Sequence, residues 1–178
     1  RVLEFEPDNV LAHSGLSIAR FELTDFDSAL ESAAEALERS PKHAEAIYIR
    51  GLIFEALGEA EQAASVFAEA HALAPDHYPL LVPTSPDEWE EIIEAAKTLL
   101  HPDLQAWFDG VNIVIKRSPE IEQLRKHSPP LSPSSIALYQ GKSPHVSEDP
   151  WFAKPPGIDL FELNLGRAGL REGDLVGP

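Results

Sequence analysis

The stretch AEAIYIRGLIFEALGEAEQAASVFAEAHALAP, residues 44–75, decides how the first half of the chain folds. It places small residues at Gly51, Ala63 and Ala70, where two helices can approach closely, and aromatic rings at Phe54 and Phe67 to fill the gap. Gly58 stands between two apolar-periodic segments, where a turn must form, and Pro75 stops the second of them. The same arrangement precedes it at a fixed distance. Pro7, Pro41 and Pro75 are 34 residues apart, Ala29 answers Ala63, and Ala36 answers Ala70. A period of this size predicts helical hairpins stacked so that each buries its apolar side against the next. The expected helices run over 10–23, 26–39, 44–57 and 60–73, and residues 1–6 read as the tail of an earlier repeat. Two departures mark the first unit: Ser17 stands where Gly51 does, and Thr24 where Gly58 does.

In the second unit, Ile47, Gly51, Phe54, Gly58, Ala63, Phe67, Ala70 and Pro75 together resemble the tetratricopeptide repeat, whose arrays scaffold protein partners. The resemblance implies that the first helix of each hairpin lines a concave groove for a protein or peptide partner. Carried over by position, the groove residues are Leu11, Ser14, Ile18, Phe21 and Glu22, then Glu45, Tyr48, Leu52, Glu55 and Ala56. A competing expectation is that Ile18, Phe21 and Leu52 pack against the adjoining module, because two repeats make a short array that needs covering.

Outward from the repeats, the composition changes. Residues 1–77 carry 15 acidic and 5 basic residues and three of the 16 prolines; the remainder carries the other thirteen prolines. Interior prolines cost helices about 3 kcal/mol each, so the second half must consist of short elements. The domain reading is therefore 1–77 for the repeats and 84–178 for a second module. There, Ser85-Pro86-Asp87-Glu88 reads as a capping box opening a helix through Trp89, Ile92, Ile93 and Ala96, ending near His101. Pro102 starts a shorter helix through Trp107 and Phe108. Residues 111–116 are β-branched and read as a strand, followed by a short helix from Pro119 to about Lys126. The serine and proline run 129–135 reads as an extended turn. Residues 136–141 and 158–163 read as two further strands, with Asp159 and Glu162 on the polar face of the latter, and either strand could pair an extended peptide at a sheet edge. Between them lies a long polar excursion, 142–157. The expected fold is thus α-helical hairpin repeats followed by a small α+β module.

Asp87–Leu100, Gly110–Lys116, the Pro129–Pro133 run, Ile136–Gly141 and Ile158–Arg167 resemble a small bacterial zincin-like metallopeptidase family. Its members continue into a helix bearing H-E-x-x-H, whose histidines bind zinc and whose glutamate acts as base. This chain has no such motif, and Ala137 replaces a glycine common in that strand. The resemblance therefore implies zinc only for a longer protein carrying the motif beyond Pro178; it assigns no catalytic or metal-ligating residue here. Two functions follow: a zincin-type peptidase whose repeats recruit a substrate, or a non-catalytic repeat scaffold.

Other chemistry finds little footing. A net charge of −16, with no cluster of Lys and Arg, argues against nucleic acid. The absence of cysteine removes disulfides, thiol nucleophiles and Cys-ligated zinc. The seven histidines lack helical metal-ligand spacing, and Glu90, Glu91 and Glu94 read as a solvated helix face. No apolar run reaches the roughly 18 residues of a membrane span, and a cytoplasmic location is expected.

Overall fold

A computed structural model describes residues 2–141 and 157–169. In chain order the described elements are helices α1 (Val2–Phe5), α2 (Val10–Glu22), α3 (Phe26–Arg39), α4 (Ala44–Ala56), α5 (Ala60–Leu73), α6 (Pro86–Thr98) and α7 (Pro102–Phe108), then strand β1 (Asn112–Lys116), helix α8 (Ile121–Leu124), strands β2 (Ala137–Gln140) and β3 (Gly157–Phe161), and helix α9 (Glu162–Arg167). They divide into two compact units. The first comprises residues 1–80 together with 119–134, and the second comprises 81–118 together with 135–178. The stretch 119–134, expected within the second module, thus belongs to the repeats.

In the first unit the 34-residue period is a property of the backbone: α2 and α4 begin and end 34 residues apart, as do α3 and α5. Asn9 opens α2 by accepting a hydrogen bond from the Ala12 amide at 2.9 Å, and the Asp25 carboxylate caps α3 at the Ser28 amide. The turns also correspond. Gly58 adopts φ 81° and Thr24, at the equivalent position, adopts φ 59°. A β-branched residue in this left-handed region is strained by about 1–3 kcal/mol and persists only when its surroundings hold it.

The core is built from Phe21, Phe26, Ala29, Ile49 and Ile53, with Ile18, Leu30, Leu52, Ala56 and Ile121 packed around it. Phe21 and Phe26 meet ring to ring at 5.9 Å, tilted as aromatic pairs prefer. Gly51 is required where Phe67 lies, since a Cβ there would fall 2.6 Å from the ring. The repeat-equivalent of Phe67 is Ala33, so the first hairpin has no ring at that place and accepts Ser17. Ser17 is fully buried, and its hydroxyl donates to the Ala29 carbonyl at 2.7 Å. This satisfies a group that burial would otherwise penalise.

The second unit holds a three-stranded sheet of order β1-β3-β2. β1 and β3 run parallel with Ile113 opposite Ile158, and β2 and β3 run antiparallel with Leu138 opposite Asp159. The capping box is present: the Ser85 amide donates to Glu88 at 2.6 Å while the Ser85 hydroxyl accepts from the Glu88 amide at 3.3 Å. Trp89 and Phe161 are buried.

Three expectations change here. The third strand ends at Phe161, because Glu162 begins α9 and its carboxylate accepts from the Thr84 amide at 3.2 Å. Asp159 is not on a solvated face; it is 4% exposed, 2.9 Å from the Lys116 ammonium and accepting from the Gln140 amide at 2.5 Å. β3 is central among the described strands, so its backbone is paired on both sides and only β1 or β2 offers an edge. The excursion at 142–157 falls almost wholly outside the described residues.

Candidate partner-binding face

α2 and α4 are the first helices of the two hairpins, and every residue expected to line the groove lies on one of them. On α2, Leu11 is 69% exposed, Ile18 and Glu22 are half-buried, and Ser14 and Phe21 are buried. Phe21 belongs to the core, where it contacts Phe26, so it shapes the face from beneath. Ser14 acts between repeats: its hydroxyl donates to the Glu45 carboxylate at 2.8 Å. On α4, Glu45 is exposed, whereas Tyr48, Leu52, Glu55 and Ala56 are half-buried.

Tyr48 sits between two rings, 5.3 Å from Phe67 and 4.7 Å from Tyr78. Partial burial, then the charge of Glu45 and the neighbouring Tyr48, pushes the Tyr78 phenol above its ordinary pKa. Glu22 on α2 and Glu45 and Glu55 on α4 add carboxylates to these helices, with Tyr48 and Leu52 lying between the latter two along α4. His43 Nε2 lies 3.6 Å from the Glu45 carboxylate.

Sequence reasoning missed what touches the α2 end. Ile121 packs against the core cluster, as Ile18, Leu52 and Ala56 do. Arg125 donates from Nη2 to the Thr24 carbonyl at 2.7 Å and from Nε to the Thr24 hydroxyl at 3.2 Å, and its guanidinium lies 5.7 Å from the centre of the Phe26 ring. The hydroxyls of Ser132 and Ser134 both donate to the Glu22 carboxylate, the latter at 2.7 Å. Leu124, within the same stretch, is 2% exposed. These contacts span about a hundred residues of chain, and neither periodicity nor spacing signals them.

No group of three or more His, Asp or Glu side chains stands close enough to hold a metal ion among the described residues. The sequence contains no H-E-x-x-H, the motif on which the zinc centre of the peptidase resemblance depends. No helix among the described residues is long and apolar enough to cross a membrane.

Residues 14–78 match a family model described as tetratricopeptide repeat. The helical hairpins within residues 14–78 are therefore similar to tetratricopeptide repeats. The comparisons give no support to the peptidase resemblance, and no curated protein and no solved structure matches the chain.

Proposed function

We propose that this protein binds a protein or peptide partner on the face formed by α2 and α4. The observation that carries this reading is the composition of the face. Leu11, Tyr48 and Leu52 supply apolar surface that Glu22, Glu45 and Glu55 border with negative charge, within a segment whose own charge is strongly negative. Apolar burial supplies affinity, and the surrounding carboxylates select and steer a basic partner. Peptides selected from a display library against the full chain test this. The selected sequences are expected to be basic and amphipathic. Glu55→Lys and Leu52→Glu should each weaken them by about tenfold or more, equivalent to about 1.4 kcal/mol. Selection of sequences insensitive to both substitutions sinks the reading.

The peptidase alternative rests on the resemblance of the second module. It requires a histidine pair on a helix encoded after Pro178, which the sequence of the gene reads directly, and zinc bound by that longer protein.

A further inference from the structure

The contacts made by residues 119–134 share a pattern. An apolar side chain, Ile121, packs against the cluster of Phe21, Phe26, Ala29, Ile49 and Ile53. Four residues on, Arg125 secures the turn that ends α2. After a proline-rich reversal, two hydroxyls reach the Glu22 carboxylate. Three features of the first hairpin thus have their partners in this one stretch: the apolar surface beside the core, the strained Thr24 turn, and a groove carboxylate. The stretch has only one turn of helix, α8, and otherwise passes through turns and bends without joining a strand. It is also locally balanced, its two glutamates offset by Arg125 and Lys126, whereas the repeats are strongly acidic.

We propose that residues 119–134 are a resident peptide ligand of the first repeat, and that the external partner of this end is a peptide of the same chemistry. Such a peptide presents an apolar residue, an arginine one helical turn later, and then paired hydroxyl groups for Glu22. The proposal rests on the α2/α4 face being a binding face and adds what its first half recognises.

The test introduces like charge against Glu22. In the full chain, Ser132→Glu with Ser134→Glu sets two carboxylates beside a third and should expel the stretch. Amide hydrogen exchange across 121–134 is expected to accelerate, and a labelled peptide of residues 119–134 should bind the double variant about tenfold more tightly than it binds the parent chain. Adding Glu22→Lys should restore slow exchange and abolish peptide uptake, a charge reversal that a purely structural stretch would not show. A scrambled peptide should not bind. The proposal is overturned if exchange is unchanged in the double variant, if the released face takes up no peptide, or if the scrambled peptide binds equally. Should the double variant lose its helical circular dichroism, Glu22→Gln keeps the side-chain shape and is read by the same two measurements. Failure here with intact effects of Glu55→Lys on selected peptides removes only the resident ligand. Loss of both removes the binding face itself.

Discussion

At the scale of single residues, the two hairpins solve one problem with different atoms. Position 58 has φ 81° and open space around a would-be Cβ, so Gly58→Ala should cost about 1 kcal/mol through backbone conformation alone, read from urea denaturation. Gly51→Ala meets Phe67 instead, with a Cβ 2.6 Å from the ring, and overpacking there should cost about 1–3 kcal/mol in the same measurement. Thr24 carries the left-handed turn without glycine because Arg125 grips its carbonyl and hydroxyl. Tyr78 reports the charge of the face. Its burial is the leading cause of its raised pKa, with Glu45 next, so Glu45→Gln should bring its absorbance titration part of the way back and no further.

At the scale of elements, much was legible. The helices of the repeats agree with the periodic pattern to within a residue, because a 34-residue spacing of prolines, small residues and aromatics leaves little freedom in where they begin and end. Ser85, Pro86 and Glu88 foretold the start of α6 for the same reason: capping is local chemistry. That cap has a pH signature. Bonds from the Ser85 backbone, then its hydroxyl, hold the Glu88 carboxyl below its ordinary pKa. A group whose pKa is depressed on folding contributes stability above its unfolded pKa and loses it as pH falls through the folded value. The first turn of α6 should therefore fray only in acid below the ordinary glutamate range, with the Glu88 carboxyl carbon titrating below that range by NMR. Glu88→Gln should remove that dependence. The less legible elements depend on distant partners. β3 stops at Phe161 because Glu162 is drawn to the Thr84 amide, and Asp159 is buried because Lys116 and Gln140 on the flanking strands receive it. Alternation along one strand cannot reveal either.

At the scale of the whole molecule, the division of the chain departs from the division of its composition. Proline content places 119–134 with the second module, but packing places it with the repeats. The proposed binding face is a set of positions on α2 and α4 carried over from the repeat, which dictates which residues share a helix. Its covering was not legible, because nothing within the repeat specifies what lies against it. One consequence is measurable far from the substitution: Ile121→Ala should destabilise the repeats by about 1–2 kcal/mol, with faster amide exchange at Ile49 and Ile53.

Arg125, Ser132 and Ser134 are joined to Thr24 and Glu22 through the chain itself as well as by hydrogen bonds. Their dissociation is a first-order event, and their return draws on a tethered local concentration that is of millimolar order for short linkers. Dilution cannot empty such a place. A visitor must arrive at concentrations well above its intrinsic dissociation constant, or be delivered already attached to something that holds it nearby.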